Sequence, residues 1–280
     1  MNRRELFLHP VTLVWRNKTL WPIALIGLAI NVIFSLLSFN LAFVFAGLFM
    51  AFMTIAFTNG ALITMVNAIA DGEPVGVIDG VRAGALRLVP LLAVNVVVML
   101  PTWIALLVLT GGAVDSIFGR WGRPDLLQAT NMLDVATAML SVAAVIIGVN
   151  AIGEAIGVGA ERAIVLEDQS IVPALQRGWQ LVRTRFTDFF LIAAILFGLG
   201  LAVSLLFAVG IGPVLLSIFV PSTLQESGGA AAITAFYVGP GNVIYILINL
   251  VILSLVTAYT SSVWTLAFRY WKREEEQRDE

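Results

Sequence analysis

The sequence predicts an all-α, polytopic membrane helix bundle. Three observations carry that prediction: a shortage of charge, six long apolar runs, and basic residues gathered in alternate connections. Of 280 residues, 59% are hydrophobic and 12% are charged, with a mean hydropathy of +0.95. Soluble domains run near half apolar and about a quarter charged. This chain therefore holds too little polar material to cover a globule, and lipid must be its solvent.

A membrane-crossing helix needs roughly 20 mostly apolar residues. Six stretches meet that length, at about 20–39, 41–70, 88–111, 133–160, 189–220 and 243–268. They form one membrane domain over 1–280, closed by a short charged tail at 269–280. The first run begins late and leads at once into another, so it reads as a span rather than a cleaved signal peptide. The turn between the first two falls at Ser38-Phe39-Asn40. Two crossings are expected there, with one bent re-entrant unit as the alternative.

Lys and Arg mark cytoplasmic connections. Fourteen of the sixteen basic residues fall in the N-terminal segment, the 71–87 and 161–187 connections and the C-terminus. Only Arg120 and Arg123 fall in the remaining connections. Six spans then place both termini in the cytoplasm of a cell (inner or plasma) membrane. Trp15, Trp21, Trp264, Tyr270 and Trp271 lie at the cytoplasmic helix ends, where amphipathic rings prefer the headgroup level. Trp121 and Tyr237 fall in the outer loops, 112–132 and 221–242.

Between the fourth and fifth spans, apolar residues recur at Ile171, Val172, Leu175, Trp179, Val182 and Phe186, a helical stripe. Gln176, Arg177, Gln180, Arg183 and Thr184 fill the other side. That pattern predicts an amphipathic elbow helix over about 171–186, lying in the interface with its arginines among phosphates. A fainter elbow over about 75–87 carries Ile78, Val81, Ala85 and Leu88 opposite Asp79, Arg82 and Arg87. Each elbow follows an acidic turn, Asp71-Gly72-Glu73 or Glu167-Asp168. An offset of 96 lays Val75 on Ile171 and Arg87 on Arg183, which suggests a two-fold internal repeat.

The run Ala174-Leu175-Gln176-Arg177-Gly178-Trp179-Gln180-Leu181-Val182-Arg183, followed by an apolar span, resembles bacterial six-helix membrane families of unassigned activity. These are similar to the membrane domain fused to some glycerophosphodiester phosphodiesterases. The tryptophan-bearing last helix, Trp264 to Arg273, fits the same likeness. The resemblance implies a fold. The phosphodiesterase barrel is absent, so its hydrolytic activity is not implied.

Catalytic motifs are missing. The single histidine, His9, can neither complete HExxH nor serve as a central base. There is no GxxxxGK[ST] phosphate loop, and no cysteine for thiolate chemistry or cysteine metal sites. No cofactor and no metal are expected, and nothing points to nucleic acid. The polar residues left inside the spans are Asn59, Asn67, Asn150 and Glu154, a candidate intramembrane cluster. Counting inward from Leu133 puts Glu154 at the cytoplasmic edge, where a structural ion pair is the first expectation, a lipid-headgroup or partner contact the second, and a proton or substrate site the third. Gly153 and Gly157 form GxxxG, which lets helix backbones approach closely. Pro213 is expected to kink the fifth span.

The function these residues favour is a non-catalytic membrane scaffold, accessory subunit or lipid-interacting module. Anionic headgroups would meet Arg82, Arg87, Arg177, Trp179, Arg183 and Arg185, and a membrane or cytoplasmic protein partner would dock nearby. The alternative is a secondary transporter or channel for a small solute or lipid. A lipid-directed enzyme with Glu154 or Asp79 as base ranks last, since no second catalytic group accompanies either.

Overall fold

The computed structural model describes residues 3–37, 41–121, 132–220 and 239–280. Helices account for nearly all of them, and no strand occurs among the described residues. The helices are α1 (Arg3–Arg16), α2 (Leu20–Leu37), α3 (Leu41–Ala70), α4 (Val77–Trp121), α5 (Met132–Glu167) and α6 (Ile171–Thr184). There follow α7 (Phe186–Leu205), a π-helical segment (Leu206–Ile211), α8 (Gly212–Phe219) and α9 (Pro240–Asp279). Five stretches are long and apolar enough to cross a bilayer: Ala46–Ala70, Val77–Leu109, Leu140–Glu167, Phe186–Phe219 and Pro240–Arg278. The pair Glu5–Arg16 and Leu20–Phe34, bent by 88°, makes a sixth when taken as one span. The protein is an all-α polytopic membrane protein.

Several boundaries differ from the sequence expectation. Residues 3–16, assigned no element from the sequence, form a helix with Pro10 inside it. The fourth span continues past 160 to Glu167, because Glu161 and Arg162 are buried within it rather than marking its end. The tail continues α9 to Asp279. The first elbow is not a separate helix. It is the opening of α4, which runs 45 residues without interruption and takes in part of the expected 112–132 loop. The Ser38-Phe39-Asn40 turn and Tyr237 lie outside the described residues.

The chain divides into two compact units, one of residues 1–88 with 185–280 and one of residues 89–184. In the first unit, α1, α2, α3 and α9 share a core that includes Leu13, Leu20, Ile23, Leu62, Met65 and Ala258. Small residues set the helix separations. A Cβ on Gly84 would stand 2.6 Å from the Phe57 carbonyl, and one on Gly27 2.2 Å from Thr58 Oγ1. In the second unit the GxxxG pair receives α4: a Cβ on Gly153 would lie 2.8 Å from the Val98 carbonyl, and one on Gly157 3.4 Å from Val98 Cγ1.

The two acidic turns use one device. Helix α3 ends with Gly72 at φ 83°, its N–H donating to the Ile69 carbonyl while Glu73 donates to Ala68. That is a left-handed cap closing the last turn. Helix α5 ends with Asp168 at φ 52°, a conformation that Asp tolerates better than most residues. Residue 72 maps onto residue 168 under the same offset of 96 that aligns the elbows. Asp79 is accounted for locally: its Oδ2 accepts the Gly76 N–H at 2.9 Å, one half of a capping box at the start of α4.

Pro213 acts through the segment before it. A proline cannot donate to the carbonyl one turn back, and the chain meets this by widening to i→i−5 bonding over Leu206–Ile211. The Gly212 N–H donates to the Phe207 carbonyl. Such π segments are a recognised source of helix bends. The Phe207 ring meets Tyr245 of α9 edge-on at 5.6 Å.

Candidate functional site

Two places gather polar side chains, one in each unit. In the first unit the centre is the polar end of α9. Arg269 Nη1 donates to the Asn67 carbonyl at 2.9 Å, to Asn67 Oδ1 at 2.7 Å and to Asp71 Oδ2 at 2.9 Å, while Nη2 meets Asp71 Oδ1. One planar guanidinium thus binds both the side chain and the last-turn backbone of α3, a geometry suited to arginine rather than lysine. The hydrogen bond from Arg269 holds the Asp71 carboxyl below its usual range. Partial burial opposes that effect, and the charges of Arg269 and Arg273 reinforce it.

On the opposite side of α9, Arg185 Nη1 lies 2.7 Å from Glu274 Oε2. Phe189 is clamped between Trp264 (ring centroids 4.4 Å apart) and Trp271 (6.1 Å). The Tyr259 hydroxyl donates to the Phe7 carbonyl at 3.4 Å, tying α1 to α9. Two hollows flank α9 here. An open groove of about 900 Å³ runs along α1 and is edged by His9, Thr12, Arg269 and Arg273. A smaller pocket of about 210 Å³ is lined by Phe7, Arg185, Asp188, Tyr270, Trp271 and Glu274.

In the second unit, α6 folds back on α5 after the short 168–170 connection. The contact is backbone to backbone: a Cβ on Gly178 would stand 2.3 Å from the Ile156 carbonyl and 3.0 Å from the Ala160 nitrogen, and one on Gly159 2.8 Å from Gly178 Cα. The face of α6 that is buried is Ala174, Gly178 and Leu181, not the larger apolar stripe. Val172, Trp179 and Phe186 stay exposed, Trp179 at 51%. The first elbow behaves alike, burying Gly80 and Gly84 while Ile78, Val81 and Ala85 remain outside. Small residues form the protein-facing side of both segments, and the bulky stripe is left for another medium.

The predicted headgroup residues divide into two groups. Arg82, Arg183 and Trp179 are exposed, and Arg87 is half-buried. Arg177 lies 3.8 Å from Glu167 and Arg185 pairs with Glu274, so both guanidiniums already face carboxylates. Of the polar intramembrane candidates, Asn59 and Asn67 belong to the first unit, Asn150 and Glu154 to the second. Asn67 is taken by Arg269, and Asn59 and Asn150 are half-buried. Glu154 is exposed, and none of the described residues forms a hydrogen bond or ion pair with it. The buried charges of this unit are instead Glu161 and Arg162, about 4% exposed. Arg162 Nη1 donates to the Val158 carbonyl at 3.0 Å and to Glu161 Oε2 at 3.3 Å.

The sequence reading gave Arg269 no role beyond its charge. Its partners are about 200 positions away in the chain, which spacing rules cannot reach. The glycine at 178, inside a basic segment, was the available signal for close packing. No group of three or more His, Cys, Asp or Glu side chains suited to a metal ion occurs among the described residues. No family model, curated protein or solved structure matches this chain.

Proposed function

We propose that the protein is a non-catalytic membrane module that organises anionic lipid, or a partner seated on such lipid, at the outward face of α6. The observation that carries this reading is the division of α6 into two faces. Ala174, Gly178 and Leu181 are used up against the protein, while Trp179 and Arg183, four residues apart and on one side, are left exposed. A ring at the headgroup level beside a cation among phosphates is the chemistry of an interfacial helix. The concentration of fourteen of sixteen basic residues in alternate connections favours the cytoplasmic leaflet for that face, with both termini on the same side of a cell membrane.

Quantifying the lipids retained after mild-detergent purification tests this. Wild type should keep acidic phospholipid, and Arg183→Gln with Trp179→Ala should lose most of it. Equal retention by both proteins would refute the reading.

Glu154 supports a second reading, a proton- or solute-coupled pathway, because a carboxylate inside an apolar helix is costly. Against it, Glu154 lies two residues before Ile156, whose carbonyl meets Gly178 of α6. If α6 rests among headgroups, Glu154 sits within about one helical turn of them. Full flux by Glu154→Gln in proteoliposomes would remove this second reading.

A further inference from the structure

Helix α1 lies across the helix that follows it. Helix α2 has 18 residues, none of them charged. At 1.5 Å per residue it is about 27 Å long, close to the thickness of the hydrocarbon core. The segments Glu5–Arg16 and Leu20–Phe34 are bent by 88°. With α2 crossing the bilayer, α1 adds no depth and runs within the membrane plane. Its own sequence places Arg3, Arg4, Glu5, His9 and Arg16 within 14 residues, too many polar groups for a helix among acyl chains.

Hydrogen bonds fix the corner between the two. Asn17 donates twice to the Leu13 carbonyl, from its backbone N–H at 3.0 Å and from Nδ2 at 2.8 Å. Trp21 Nε1 donates to the Val14 carbonyl at 2.9 Å, and the Trp21 ring meets Trp15 at 5.6 Å. Helix α1 is therefore held at a set angle to α2.

Around its axis α1 has three sides. Pro10, Leu13 and Val14 are buried, the last two within the core of the first unit. Glu5, His9 and Thr12 line the open groove, facing Arg269 and Arg273 at the charged end of α9. The third side is apolar and uncovered. Leu8, Val11 and Trp15, three and four residues apart, form one exposed stripe, with Trp15 at 66%. Beyond it stand Arg16 and Lys18, both exposed, and neither side chain has a hydrogen bond or ion pair among the described residues.

The charged end of α9 marks the direction of water, and the polar side of α1 adjoins it. His9 and Val11, two residues apart, point about 160° away from one another on a helix. The apolar stripe thus turns from water toward the bilayer. A helix with one apolar side, one polar side and flanking cations is built for the boundary between headgroups and acyl chains.

We propose that α1 is an interfacial anchor seated in a phospholipid leaflet. Leu8, Val11 and Trp15 lie among the first acyl carbons, Arg16 and Lys18 rest on the phosphates, and the groove between α1 and α9 stays open to water. The inference needs only that α2 crosses the membrane, so it is independent of the lipid reading of α6.

Because the chain has no cysteine, single spin labels can report each side. The test uses the full chain in nanodiscs of phosphatidylcholine and phosphatidylglycerol, labelled at Val11→Cys, His9→Cys or Lys18→Cys, all exposed positions. Collisions are measured with oxygen, which concentrates among acyl chains, and with a water-soluble nickel chelate. The oxygen-to-nickel ratio should be several-fold higher at position 11 than at position 9. The label at 11 should lie about 5–10 Å below the headgroup surface, and the label at 18 at the phosphates. Trp15→Cys repeats the reading on the same stripe should Val11→Cys fail to fold. Equal nickel access at 9 and 11 would lift α1 off the membrane and overturn the proposal. Equal oxygen access at both would overturn it by placing the whole helix among acyl chains. Shielding of the label at 11 from both reagents would overturn it in favour of a second copy or another protein over the stripe. A label at 18 inside the acyl region would refute the phosphate contact.

Discussion

Adding a single methyl group at Gly178 tests the packing of α6 on α5. In the middle of a helix, replacing Gly by Ala ordinarily gains about 0.5–1 kcal/mol, because glycine loses more conformational freedom on folding. At Gly178 the new Cβ would stand 2.3 Å from the Ile156 carbonyl oxygen and 3.0 Å from the Ala160 nitrogen. Both are backbone atoms of α5, so no side chain can swing aside. Overpacking costs about 1–3 kcal/mol, and rigid neighbours place this case toward the upper end. The net expectation for Gly178→Ala is a loss of about 1–2 kcal/mol once the two effects are set against each other. Gly148 supplies the control, since nothing lies within 4 Å of its would-be Cβ. Gly148→Ala should be neutral or slightly stabilising. Denaturant titration of the two variants in one detergent measures the gap, expected at about 2 kcal/mol, more than tenfold in the unfolding equilibrium. Equal stability of the two would refute the close backbone approach and the assignment of the α6 faces.

Other outcomes follow from the first unit. Arg269→Lys should destabilise it nearly as much as Arg269→Ala, because one ammonium cannot reach the Asn67 carbonyl, its amide oxygen and both Asp71 oxygens; chemical denaturation checks this. Asp71→Asn should cost less than about 1 kcal/mol, since the carboxylate is half-exposed and screened by solvent. The Asp71 carboxyl titrates below its ordinary 3.8 in the folded protein. Its contribution is therefore complete above that pH and fades as pH falls through the lower folded value. Wild type and Asp71→Asn should accordingly converge in stability below about pH 3.8, and a gap that persists there would contradict the assignment. Phe189→Ala should cost on the order of 3 kcal/mol through the cavity left between Trp264 and Trp271. Phe190→Ala, 64% exposed, should cost far less, and thermal unfolding separates the two.

The long apolar runs were legible because hydropathy over some twenty residues reports on lipid, whatever the tertiary contacts. The expected 41–70 span and α3 coincide. Boundaries were misjudged where charge was taken to end a helix. Glu161 and Arg162 pair with one another inside α5, and the charged residues after Arg269 continue α9. The amphipathic pattern of 171–186 located α6 but did not mark Ala174, Gly178 and Leu181 as the side that packs on protein. An apolar stripe normally turns toward protein, whereas in a bilayer the bulky stripe is free to meet lipid while glycine and alanine permit backbone contact. The same pattern marked the elbow at 75–87 but could not show that it merges into α4. Arg177 and Arg185 were legible as basic residues of an interface, but their carboxylate partners were not. Glu274 is distant from Arg185 in sequence, and Glu167 reaches Arg177 only because the chain reverses at Asp168. The offset of 96 was visible as pattern, and the matched left-handed caps at Gly72 and Asp168 give it a backbone counterpart.

Because the chain contains no cysteine, Arg183→Cys creates a single labelling site on the exposed face of α6. A membrane-impermeant maleimide added outside intact cells should leave it unmodified, and the same reagent should label it once the membrane is opened. Modification from outside would contradict a cytoplasmic, headgroup-facing α6 and the lipid-organising role that depends on it.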